Sequence, residues 1–223
     1  PLPHVEAEPI KEEEGAKSVK TSIFQFPQLI LGVIALFMYV GVEVIAGDSI
    51  IAYGLSLGLP VSQAKWFTTF TLFAMVGTYA LGVILIPKYL SQTLALRLSG
   101  LLGIILSLVI VNTSGFTSVL LVAALGIANA LVWPAIWPLA IDGLGKFTKT
   151  GAAFLIMAIS GGAILTPLYG KLVDYLKEVY LAEGMEEVLA TSQSANQGYW
   201  ILLPAYIIIF LYALKGHKIK SWT

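Results

Sequence analysis

Residues 29–46, LILGVIALFMYVGVEVIA, carry a single charge. As a helix rising about 1.5 Å per residue, a stretch of that length reaches most of the way across the hydrocarbon core of a bilayer. The chain returns to this pattern six times, and the spans run at 27–57, 63–86, 93–111, 117–141, 150–176 and 199–215. Inside a bilayer every backbone N–H and C=O must be satisfied within the protein, so apolar runs of this length fold as helices. The expected fold is an all-α membrane domain of six transmembrane helices.

The connections carry turn chemistry. Gly58-Leu59-Pro60 precedes Ser62, a good N-cap for the second span, and Pro87 ends that span. Asn112, Ser114 and Gly115 separate the third span from the fourth. Asp142-Gly143 and Gly145 close the fourth, and Thr148 or Thr150 caps the fifth. Ahead of the first span, residues 1–26 are polar, proline-containing and rich in glutamate, the composition of a linker. A membrane domain that opens on a linker without an initiator methionine is expected to be a piece of something longer.

Composition excludes several functions. With no cysteine there is no disulfide, thiolate zinc site or cysteine nucleophile. The two histidines, His4 and His217, lie in the polar tails. Net charge is zero, so no basic field points to a nucleic-acid partner; the partner the composition demands is the lipid bilayer. Gly54-Leu55-Ser56-Leu57-Gly58 matches a hydrolase nucleophile pattern, but it ends a membrane helix, on the side opposite both histidines. Gly145-Lys146-Phe147 lacks the serine or threonine of a phosphate loop. No nucleophile–base pair or metal-ligand cluster occurs at membrane depth, and no enzymatic role or bound cofactor is expected.

The positive-inside rule orients the spans. With the N-terminal tail in the cytoplasm, the inner segments hold Lys11, Lys17, Lys20, Lys88, Arg97, Lys146, Lys149, Lys215, Lys218 and Lys220, ten of the 13 basic residues, and the outer segments only Lys65, Lys171 and Lys177. Both termini are expected to be cytoplasmic. The outer loop after the fifth span is acidic, and its apolar residues Leu172, Leu176, Val179, Tyr180, Val188 and Leu189 recur at helical spacing. A helical extension along the outer interface and a solvated loop both fit it.

An internal repeat adds a constraint. YALGVILIPKYL (79–90) and ISGGAILTPLYG (159–170) share five of twelve positions when aligned without gaps. The first and fourth spans are both long and both carry a mid-course interruption signal, GVEVIAGD around Gly47 in one and WPAIWP with Pro134 and Pro138 in the other. Spans one to three then repeat as four to six, and an odd number of spans inverts the second copy. Inverted 3+3 repeats with paired broken helices mark secondary transporters. Chance likeness between apolar segments is the competing explanation.

A few residues carry chemistry. Glu43 is the one carboxylate deep in a span, roughly 22 Å from its start. A carboxylate there needs a polar cavity, a partner or a proton. It is therefore either a ligand or proton site or a structural carboxyl bonded to a neighbouring helix. Asn129, Trp133 and Trp137 are spaced i, i+4, i+8 and share a helix face. Pro134 leaves the carbonyl of Ala130 without its helical donor, and Pro138 does the same to Pro134. An amide, two indoles and bared carbonyls suit a sugar, whose hydroxyls take hydrogen bonds while its C–H face stacks on an aromatic plane. Trp137 also fits an interfacial belt. In the fifth span Ala158, Gly162, Thr166 and Gly170 form a small-residue stripe for close helix packing. Gly161-Gly162 is a point of flexure, and Met157 and Ser160 are candidates to line the cavity.

These residues resemble a known family. LFMYVGVEV (36–44), SQAKWF (62–67) and the segment from Asn129 to Asp174, with its W-P-x-I-x-P-L-A-I-x-G-L-G-K and M-A-I-x-G-G-A-I-L-T-P signatures, are similar to the fucose permease and glucose/galactose permease family of the major facilitator superfamily. Members have twelve spans in two six-helix halves joined by a cytoplasmic loop. The resemblance implies that this chain is the loop plus the second half, with a first six-helix half as its missing partner. It implies proton-coupled uptake of a hexose or deoxyhexose by alternating access across a bacterial inner membrane, with the proton as coupling ion. The family's proton-coupling carboxylates lie in the first half, so the resemblance leaves Glu43 open between binding sugar and carrying a proton. The loop IPKYLSQTLALR departs from the superfamily's G-x-x-x-D-R-x-G-R-R pattern and keeps only Lys88 and Arg97 as inner charges. A non-transporting membrane scaffold, or a fragment without independent activity, is the alternative function.

Overall fold

The computed structural model describes residues 20–86 and 88–222. Among them the helices are α1 (Pro27–Ser56), α2 (Val61–Ala64), α3 (Phe67–Leu85), α4 (Gln92–Val111), α5 (Gly115–Asn129), α6 (Val132–Ile141), α7 (Thr148–Met157), α8 (Ser160–Ala182), α9 (Glu187–Gln197) and α10 (Leu202–Leu214). They group into six stretches long and apolar enough to cross a membrane, Pro27–Ser56, Val61–Leu85, Gln92–Val111, Gly115–Ile141, Gly145–Ala182 and Glu187–Lys218. The protein is a multi-pass, all-α membrane protein.

α1 is the central post. Pro27 opens it at a position where the missing N–H costs nothing. Gly58, at φ +76°, closes it, with the Leu59 N–H returning to the Gly54 carbonyl at 3.3 Å. Leu29, Ala35, Leu36, Val42, Ile45, Ala46 and Ile50 are fully or almost fully buried, because α5, α6, α8 and α10 all pack against this helix. α8 approaches most closely. A Cβ on Gly161 would run into the Phe37 carbonyl, so only glycine permits that crossing.

Several expectations are corrected. α1 runs unbroken through Gly47, so the first and fourth spans are not a pair of broken helices. Gly47 instead accepts a hydrogen bond from Thr68 Oγ1 of α3 at 2.7 Å, and nothing there removes an intrahelical bond. In the fourth span the interruption falls at Ala130–Leu131, ahead of both prolines. Pro134 is the third residue of α6, within the first turn, where an N–H has no helical acceptor, and Pro138 sits inside α6 without ending it. In the fifth span the joint is at Ala158–Ile159, and Gly161 and Gly162 belong to the first turn of α8. The joint is a tightening to i→i+3 bonds, with Ile159 N–H to Ile156 O at 3.0 Å and Gly161 N–H to Ala158 O at 3.0 Å.

The ends of the chain also differ from expectation. Residues 1–19 of the expected linker lie outside the described residues. Within residues 20–26, Ile23–Gln25 form a 3₁₀ turn with a capping box between Ser22 and Gln25, and Ile23 and Phe26 are buried. The sixth span begins at Glu187, twelve residues before the expected start, because α9 leads through a 3₁₀ segment (Gly198–Ile201) into α10. α8 continues to Ala182, which makes the segment after the fifth span a helical extension for its first part.

Candidate functional site

Tyr39 and Glu43 stand one turn apart on α1. Glu43 is half-buried, and the helical spacing stacks it over Tyr39. The ring of Tyr39 meets Trp133 edge-on, with centroids 6.4 Å apart. Trp133 in turn stacks on Trp137 at 5.9 Å with a 20° interplanar angle. The two indoles come together because they are one turn apart on α6, beyond the interruption. With Pro134, Pro138 and Ile156 of α7 they line an open recess of about 410 Å³. A half-buried carboxylate and a pair of stacked indoles are therefore linked through one tyrosine.

Asn129 is placed differently from the expected common face. It is the last residue of α5, before the interruption, and is fully buried. It is not among the residues that line the recess with Trp133 and Trp137. Its Oδ1 accepts from the Tyr206 hydroxyl at 2.8 Å, and its Nδ2 has no acceptor among the described residues. That is a costly state for a buried amide unless a ligand, water or moving side chain meets it.

Met157 and Ser160 flank the joint of the fifth span and are exposed. The Ser160 hydroxyl donates to the Met157 carbonyl at 2.8 Å, which turns its proton toward the backbone. Gly161 and Gly162 face α1, meeting Phe37 and Val44, and do not line the recess.

Two residues were not singled out by sequence reasoning. Tyr39 was legible in principle, since it precedes Glu43 by four positions and a helix stacks such residues. Tyr206 was not, because its partner Asn129 is 77 residues away.

Polar clusters hold both ends of the bundle. At one end the Asn196 amide nitrogen lies within 2.9 Å of Tyr53 Oη, Ser118 Oγ and the Ile110 carbonyl, and 3.1 Å from the Thr113 carbonyl. At the other, Gln28 donates to the Asp142 carbonyl at 3.2 Å, and Lys220 pairs with the Asp142 carboxylate at 2.7 Å.

Comparison with known proteins agrees with this architecture. A glucose/galactose transporter of Brucella abortus is 34% identical over 174 residues, covering 74% of this chain and 41% of that protein. A putative glucose/galactose transporter of Helicobacter pylori is 29% identical over 219 residues, 97% of this chain and 49% of its own length. An L-fucose-proton symporter of Haemophilus influenzae is 27% identical over 211 residues, 93% and 46% of the two chains. The chain belongs to the fucose and glucose/galactose permease family of the major facilitator superfamily. Its fold matches the solved structure of the major facilitator transporter FucP in the outward conformation, with a TM-score of 0.71 at 24% identity over 88% of this chain and 43% of that one. The chain thus spans about half the length of the curated relatives it matches. No family model matches it.

Proposed function

We propose that the chain is the C-terminal six-span half of a secondary active sugar transporter. It contributes one wall of a cavity that carries a hexose or deoxyhexose across a bacterial inner membrane by alternating access, with both chain ends in the cytoplasm and the proton as coupling ion. The observation that carries this reading is the Glu43–Tyr39–Trp133–Trp137 array. Glu43 offers acceptor oxygens to sugar hydroxyls, and the indoles offer a flat apolar surface to the C–H face of the ring. Asn129 stands behind that array with an unused donor. Two further observations support the reading: curated relatives are named as glucose/galactose transporters and as an L-fucose-proton symporter, and the chain covers about half of each.

The test is uptake of labelled glucose, galactose and fucose by this chain alone and by the chain co-expressed with a matching first half. Uptake is expected only from the pair. Robust uptake by the chain alone overturns the half-transporter reading and replaces it with a homodimeric carrier.

A further inference from the structure

α8 packs along one side of α1 and α10 along another. The seam between α1 and α10 is left as an open groove toward the end that carries both described chain termini. Leu31 and Ile34 form one wall, Ile208 and Leu211 the other, and Ile219 closes the end where Lys215 stands. Its volume is about 420 Å³, and Leu211 is 56% exposed.

The chemistry changes sharply along this groove. Its length is aliphatic, and its mouth is basic. Lys215 closes α10, and the Lys218 N–H bonds back to the Lys215 carbonyl at 3.0 Å in a 3₁₀ turn. Lys215 lines the groove, and Lys218 follows one turn later; both are exposed. Among the described residues the ion pairs are Lys177–Glu187 and Lys220–Asp142; neither Lys215 nor Lys218 belongs to one. An apolar channel at membrane depth with two uncommitted cations at the interface is complementary to a molecule with a hydrocarbon tail and an anionic head.

We propose that this groove seats one acyl chain of an anionic phospholipid, drawn from the leaflet on the side of the chain ends, with its phosphate held by Lys215 and Lys218. The seat does not depend on the transport reading. It requires only that the protein spans a bilayer.

The experiment is native mass spectrometry of the protein reconstituted in vesicles of equal phosphatidylglycerol and phosphatidylcholine with matched acyl chains, then released in mild detergent. One retained phosphatidylglycerol is expected, favoured over phosphatidylcholine by about tenfold, the scale of one to two interfacial lysines. Lys215→Gln with Lys218→Gln is expected to abolish the preference while still retaining lipid. Ile208→Trp, which fills the groove, is expected to remove the retained lipid of either kind with the thermal melt preserved. Equal retention of the two lipids by the unmodified protein overturns the proposal, as does selectivity that survives the double lysine change. A photo-crosslinker at Leu211 is expected to label lipid; labelling of a polypeptide instead also overturns it.

Discussion

Tyr39 joins the two chemistries of the candidate site: it stands one turn before Glu43 on α1, and its ring meets Trp133 edge-on at 6.4 Å. This relationship brings a carboxylate of α1 and an indole of α6 to the two sides of one tyrosine.

Glu43→Gln removes the charge and keeps the shape. In the reassembled transporter it is expected to lower sugar affinity by about 10- to 100-fold, the range for hydrogen bonds to a charged group. Sugar counterflow separates the two roles of the carboxyl. Impaired counterflow assigns Glu43 to sugar; intact counterflow with lost proton-driven accumulation assigns it to the proton.

Trp133→Ala is expected to weaken sugar binding by about tenfold, because both the stack on Trp137 and the contact with Tyr39 disappear. Trp133→Phe retains a ring and should fall between the two. Isothermal titration with the transported sugar measures the order, and equal affinity for all three proteins removes Trp133 from the site.

The Tyr206–Asn129 pair gives a stability prediction with a built-in control. Tyr206→Phe leaves the buried Asn129 Oδ1 unpaired and is expected to cost about 1 kcal/mol. Adding Asn129→Leu removes the stranded amide and should recover most of that loss. Thermal unfolding in detergent reads the cycle, and simple additivity of the two changes refutes the coupling.

Gly161→Val forces a side chain into the Phe37 carbonyl and is expected to destabilise by about 3 kcal/mol or more, seen as a lower melting temperature and poor yield. Gly170→Ala, on the same helix, meets open space and should be neutral. The Asp142–Lys220 pair is an opposite case. Both side chains are about half or more exposed, so Asp142→Asn should change stability by less than about 1 kcal/mol, and less again in high salt.

Apolar length alone located the first four spans to within two residues, since lipid depth sets the length of a helix. The sixth was misjudged for a physical reason. α9 is polar, with Thr191, Ser192, Gln193 and Asn196, and it is helical because Asn196 and its neighbours bond inward to other helices. Hydropathy does not register that kind of burial. The interruption signals were half right: prolines mark the neighbourhood of the break in the fourth span, but the break itself falls where Ala130 and Leu131 leave the helix. Asn129, just before that break, is buried against Tyr206 and does not line the recess of the tryptophans. Glu43 and the indole pair were legible because an intramembrane carboxylate and two prolines beside two tryptophans are rare in a packed core. Tyr206 carries no such mark.

The unbroken course of α1 makes it a lever. Glu43 sits near its middle, with arms of roughly 24 Å toward Pro27 and 20 Å toward Ser56. One arm ends near Gln28, which holds the Asp142 carbonyl, and the other passes Gly47 and Ser49, bonded to Thr68 and Tyr199. A tilt of a few degrees about Glu43 displaces these two sets of contacts in opposite directions. A ligand at the fulcrum would then loosen one mouth in the same stroke that tightens the other.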